Sequence, residues 1–208
     1  QLDKSPIHEE KKEGHYIRLI RDSTEVTKPE MYILDVNHLS ATLKSNSIRG
    51  TVNGIQTILQ LLPLGKTTET LLSPLRITDY PRFSYRGMHL DVARHFFPLS
   101  YIKKYIDYLA FHKFNTFHWH LTDDQGWRIE ILSYPKLNSI GSWRDSTLTG
   151  HFKDTPARYD RTRYGGYYTR EEVKEILAYA AVRGINIIPE IDIPGHSRAT
   201  ITAYPEFS

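Results

Sequence analysis

Between Arg86 and Ile191 the sequence alternates strand-like and helix-like hydrophobic patterns, and that alternation leaves few folds open. Arg86 to Val92 reads as a first strand. Pro98 and Ser100 then start a helix with Ile102, Tyr105, Ile106 and Leu109 on its buried face, and Lys103 and Asp107 paired outside. Thr116 to Thr122 is a second strand. Thr169 and Glu172 form a capping box ahead of an apolar stripe, Val173, Ile176, Leu177, Ala180 and Ala181, which Gly184 stops. Ile185 to Ile191 is a third strand. Strand and helix in this order imply a parallel sheet with right-handed crossovers, either doubly wound or the opening of a (β/α)8 barrel. No Gly-x-Gly-x-x-Gly follows the first strand, which lowers the dinucleotide-binding option. The long insertion from Gln125 to Tyr168 is of a length that usually carries function.

Residues 1–78 follow another pattern. Tyr16 to Ile20 and Met31 to Val36 read as strands. From Gly54 to Leu62 a helical face of Ile55, Ile58, Leu59 and Leu62 appears, ended by Pro63 and Gly65. This predicts a small α+β domain; it holds no reactive cluster and reads as structural support. Leu72 to Arg82, with two prolines, reads as a linker. The second domain is expected over residues 79–208. An aromatic share of 12% fits a folded chain, and a net charge of +3 without basic blocks argues against nucleic acid as a partner. The absence of cysteine excludes disulfides and thiolate metal sites. No apolar run is long enough to span a membrane. The chain opens without methionine or a signal-peptide pattern and ends at Tyr204-Pro205-Glu206-Phe207-Ser208 without an obvious terminating element, so both ends read as cut.

In parallel-sheet folds, ligands bind at the carboxyl ends of the strands. Here the first strand ends in Asp91 and runs into Arg94-His95. The second ends in His118-Trp119-His120-Leu121-Thr122-Asp123-Asp124, and the third in Glu190-Ile191-Asp192-Ile193-Pro194-Gly195-His196. Unusual polar residues at the same end of three successive strands mark a site. Alternation puts His118 and His120 on one face, where they are hydrogen-bonded core residues or, as an alternative, ligands of a metal-dependent hydrolase barrel. Trp127 and Trp143 are either core or flat surfaces for a sugar ring. Arginine, aspartates, histidine and tryptophan without a phosphate loop suit a polyhydroxylated substrate.

Tyr85-Arg86-Gly87-Met88-His89-Leu90-Asp91-Val92-Ala93-Arg94-His95-Phe96-Phe97-Pro98 resembles the first-strand signature of family 20 β-N-acetylhexosaminidases. His118 to Trp127 resembles that family's H-x-H-L-x-D-D-Q-G-W segment, and Gly165-Gly166-Tyr167-Tyr168-Thr169 and Ile188 to His196 follow in the family's order. Residues 1–78 resemble, more weakly, the small domain that precedes the barrel in these enzymes. The resemblance implies an α/β chain holding the first part of a (β/α)8 barrel. It implies hydrolysis of terminal β-linked N-acetylglucosamine or N-acetylgalactosamine from glycans by a substrate-assisted retaining route, with no metal or organic cofactor. By position, Arg94 resembles the arginine that grips sugar hydroxyls, and Asp123 and His196 the partners of the catalytic glutamate. Asp192 and Glu190 line the same rim, and Asp124 is structural. The substrate class implies an exported protein.

The family's catalytic Asp-Glu pair has no counterpart, since no Asp-Glu dipeptide occurs in residues 1–208. The pair is therefore expected beyond this chain, and the segment alone is expected to be inactive and poorly soluble, with an open sheet edge. A non-catalytic carbohydrate-binding relic is the remaining alternative.

Overall fold

The computed structural model describes residues 15–63, 65 and 72–208, so the start of the domain assigned to residues 1–78 lies outside the described residues. The fold is α/β and divides between Arg82 and Phe83 into two compact units.

The first unit contains β1 (Tyr16–Arg21), β2 (Tyr32–Val36), β3 (Ser40–Ser45), α1 (Ile48–Leu61) and β4 (Leu75–Asp79), with the sheet ordered β1-β3-β2-β4. β1 lies parallel to β3, and β2 runs antiparallel to both β3 and β4. Tyr32, Leu34, Ala41, Leu43 and Ile58 form its core. Three features differ from the sequence reading. Leu75–Asp79 is a strand rather than a linker, its apolar residues Leu75 and Ile77 alternating with Arg76 and Thr78 between the flanking prolines. β3 has the same alternation, with Ala41 and Leu43 turned inward. α1 begins earlier, where the Ser47 hydroxyl accepts from Gly50 N, and buries Gly50, Asn53, Gly54, Thr57 and Ile58. Leu59 (48%) and Leu62 (40%) stay exposed, because the helix turns its small residues to the sheet. A Cβ on Gly54 would stand 2.2 Å from Leu43 Cδ1.

The second unit contains β5 (Gly87–Asp91), α2 (Leu99–Phe111), β6 (Thr116–Asp123), β7 (Gly126–Trp127), α3 (Lys136–Ser139), β8 (Trp143–Arg144), β9 (Leu148–Thr149), β10 (Arg158–Tyr159), β11 (Tyr164–Gly165), α4 (Arg170–Ala181), β12 (Asn186–Ile191) and α5 (Arg198–Ala203). β12 and β5 both pair parallel with the central β6, and β7 folds back antiparallel on its end. Period-2 alternation divides β6 between two environments. Phe117, Trp119 and Leu121 join Ile102, Ile106 and Ile176 in the helix-covered core, while His118 and His120 take the opposite face. The Thr169–Glu172 capping box is present in full, and Gly184 (φ 70°) follows α4. Leu177 is exposed, so the stripe on α4 is narrower than its spacing suggests. Lys103 and Asp107 do not pair with each other: Lys103 meets Glu175, and Asp107 meets Arg183 Nε at 2.6 Å, which ties α2 to α4. Among the described residues, no helix is long and apolar enough to cross a membrane.

Candidate active site

The carboxyl ends of β5, β6 and β12 converge on one network. Asp91 closes β5 and turns its Oδ1 back to accept from Ala93 N at 2.9 Å and Arg94 N at 3.0 Å. That turn aims the Arg94 guanidinium across the sheet. Its Nη1 lies 2.8 Å from Asp91 Oδ2, and its Nη2 lies 2.6 Å from Asp123 Oδ2. Asp123 is 1% exposed, yet four donors meet it. Besides Arg94, Oδ2 has His120 Nε2 at 3.0 Å, and Oδ1 has Asp124 N at 2.6 Å and His196 Nδ1 at 3.2 Å. His196 reaches this position from a left-handed backbone (φ 53°), a conformation uncommon outside glycine. Asp124 Oδ1 accepts from Arg198 N at the start of α5, while its Oδ2 lies 3.9 Å from His196 Nδ1.

A second centre sits beside the first. Glu190 Oε2 lies 2.5 Å from His118 Nε2, 2.9 Å from His120 Nδ1 and 3.8 Å from His89 Nε2. His120 therefore bridges two carboxylates. Burial disfavours its charged form, but Glu190 and Asp123 outweigh burial and hold the imidazole above its ordinary pKa. The contact with His120 holds the Glu190 carboxyl below the usual range, against burial and with help from His118. Burial opposes ionisation of Asp91 as well, and the Arg94 amide and guanidinium overcome it and lower that pKa. A register irregularity between Glu190 and Ile191 precedes Asp192, whose N–H donates to Thr122 Oγ1 at 2.9 Å.

The sequence-predicted residues Arg94, Asp123 and His196 are thus in direct contact, and Glu190 joins them through His120. Asp192 stands beside His120 and Glu190, with ligand atoms within 4.8 Å. His89, His118 and Glu190 are similarly close and could hold a divalent ion. His89 was missed as a site residue, although its position two residues before Asp91 puts both on one strand face. Trp127 is core, packed with Leu137 and Ala203, and its Nε1 donates to Ile129 O. Trp143 is half-exposed and lines, with Arg94, Arg144 and Tyr159, a cavity of about 540 Å³.

A parallel α/β sheet with charged groups gathered at its strand ends is the frame of many hydrolases. The chain belongs to glycosyl hydrolase family 20, whose catalytic domain matches residues 83–208. It is 52% identical over 85% of its length to a β-hexosaminidase of Vibrio furnissii, and spans 28% of that protein. It is 41% identical over 96% of its length to a β-hexosaminidase of Porphyromonas gingivalis, and spans 25% of it. Among solved structures it is similar to the family 20 exo-β-N-acetylglucosaminidase of Vibrio harveyi in complex with N-acetylglucosamine (TM-score 0.80, 44% identity), covering 91% of this chain and 29% of that one.

Proposed function

We propose that this chain is the front part of a β-N-acetylhexosaminidase that removes terminal β-linked N-acetylglucosamine or N-acetylgalactosamine from glycans. Residues 83–208 would form the first strands of a (β/α)8 catalytic barrel, and the preceding unit its small supporting domain. The observation that carries the reading is the Arg94 guanidinium, held by Asp91 and Asp123 at the strand ends while its side chain stays 44% exposed. A rigid fork of donors fixed in this way is suited to two adjacent sugar hydroxyls.

In the proposed reaction the acetamido carbonyl oxygen of the sugar attacks C1 as the glycosidic C–O bond breaks. A glutamic acid outside residues 1–208 gives its proton to the leaving oxygen. The same glutamate then takes a proton from water, which opens the oxazolinium intermediate at C1 and restores the β configuration. Asp123 and His196 would face that glutamate and set its proton affinity through charge and hydrogen bonding, with Glu190 and Asp192 shaping the rim. The substrate class points to an exported protein.

The test is hydrolysis of a chromogenic β-N-acetylglucosaminide by the full-length protein, with Arg94→Lys beside it. Retained turnover with kcat/KM lowered ~100-fold in the variant supports the reading, since Lys cannot reproduce a two-pronged grip. Undiminished kcat/KM in Arg94→Lys would remove Arg94 from the sugar site.

A further inference from the structure

Arg128 is fully buried and forms no ion pair with a described residue. An apolar side chain would fill such a place at lower desolvation cost, so this arginine calls for another explanation. Its hydrogen bonds all go to backbone carbonyls. Nε donates to Val92 O at 3.1 Å. Nη1 donates to Ser142 O at 2.6 Å and Gly166 O at 3.1 Å. Nη2 donates to Ala93 O at 2.7 Å and more weakly to Gln125 O at 3.4 Å. One guanidinium thereby joins the segment after β5 to three points of the long insertion, Gln125, Ser142 and Gly166. Arg144, also from the insertion, completes the hold: its Nη1 donates to Arg94 O at 3.1 Å and also reaches Gln125 O at 3.4 Å.

We propose that Arg128, seconded by Arg144, is a positioning residue that sets Arg94 for the sugar. The inference rests on the hexosaminidase reading above. The carbonyls of Val92, Ala93 and Arg94 are consecutive, and every one is held by these two arginines. On the other side of the same loop, the amides of Ala93 and Arg94 are held by Asp91 Oδ1. The loop between them delivers a long side chain to Asp123, so a small shift of the Arg94 backbone is carried to its fork. Burial first, then the nearby Arg144, pulls the Arg128 pKa down to about 10, which still leaves it charged at neutral pH. Room for the group is local: a Cβ on Gly126 would stand 2.2 Å from Arg128 Cζ. The insertion from Gln125 to Tyr168 thus acts as a clamp on the sugar-gripping loop. Lysine keeps the charge but, as a single point of donors, cannot span five carbonyls in separate segments.

A double-mutant cycle in the full-length protein separates positioning from plain support of the fold. kcat and KM for a chromogenic β-N-acetylglucosaminide are measured for wild type, Arg128→Lys, Arg94→Lys and the double variant. Arg128→Lys alone is expected to lower kcat/KM ~10–100-fold, and the double variant to be no worse than Arg94→Lys within about twofold, because Arg128 acts through Arg94. Multiplying losses would overturn the proposal. Amide hydrogen exchange is the second readout. Ala93 and Arg94 should exchange at least ~10-fold faster in Arg128→Lys, while Ile106 and Ile176 in the helices keep their rates. Unchanged exchange at Ala93 and Arg94 would overturn the clamp whether or not the protein is active. A wild type that does not turn over would sink the hexosaminidase reading alone. If Arg128→Lys does not fold, the half-buried Arg144→Lys carries the same cycle and the same exchange test.

Discussion

Replacing Asp123 by asparagine keeps the side-chain shape and removes one negative charge from the centre of the network. Asp123 is 1% exposed, accepts from His120 Nε2 and Asp124 N, and pairs by charge with Arg94 and His196. An amide has one acceptor oxygen, so either orientation points an NH2 group at two of these donors. Breaking a buried charge pair by removing one partner costs ~3–5 kcal/mol. Arg94 is 44% exposed and can turn to water, which discounts the loss to ~2–3 kcal/mol. For a protein of this size that corresponds to a melting temperature lower by roughly 6–10 °C. Asp124→Asn is the control. Asp124 is a third exposed and caps α5 through one amide, so its loss should cost under ~1 kcal/mol. Urea unfolding with an unchanged m-value, followed by circular dichroism, measures both. The reasoning is refuted if Asp123→Asn is as stable as wild type, or if the two substitutions cost the same.

The pKa shifts set a pH window. The raised pKa of His120 contributes stability below its unfolded value of ~6.5 that is lost as pH rises through the folded value. The lowered pKa values of Asp91 and Glu190 contribute stability above their unfolded values near ~4 that is lost as pH falls through the folded ones. Urea midpoints across pH should therefore peak between those limits, and His120→Gln should flatten the alkaline side. Gly54→Ala should destabilise by ~1–3 kcal/mol through its clash with Leu43, read as a lower urea midpoint. Thr169→Ala should cost ~1 kcal/mol by removing one half of the capping box, measured in the same way. The 208-residue chain by itself should show no hydrolysis of a chromogenic β-N-acetylglucosaminide.

The strands that position the site were legible because their signals are local. β6 alternates between core and site residues, and Thr169-x-x-Glu172 states its own helix start. The cluster was legible because strand ends collect function in parallel sheets, and the resemblance to family 20 then singled out Arg94, Asp123 and His196 within it. β4 was hidden by its prolines, which are tolerated just outside an edge strand and made Leu75–Asp79 look like a linker. Leu59 and Leu177 lie on helical stripes, but which part of a stripe meets the sheet depends on the partner's shape. Lys103 and Asp107 pair with Glu175 on α4 and Arg183 just past its end rather than with each other, a choice made by helix packing and invisible in spacing. Arg128 gave no signal at all. A buried arginine bonded only to carbonyls exists where three distant segments meet, and no local pattern encodes that meeting.

The central claim is that the Arg94–Asp123 network serves a sugar whose own acetamido group does the attacking. Turnover by the full-length protein of a chromogenic β-N-acetylglucosaminide, against the matching β-glucoside with a hydroxyl at C2, tests it directly. The account predicts hydrolysis of the acetamido sugar with the β-anomer formed first, and none of the glucoside. Equal hydrolysis of both sugars, or an α-anomer as first product, would contradict it.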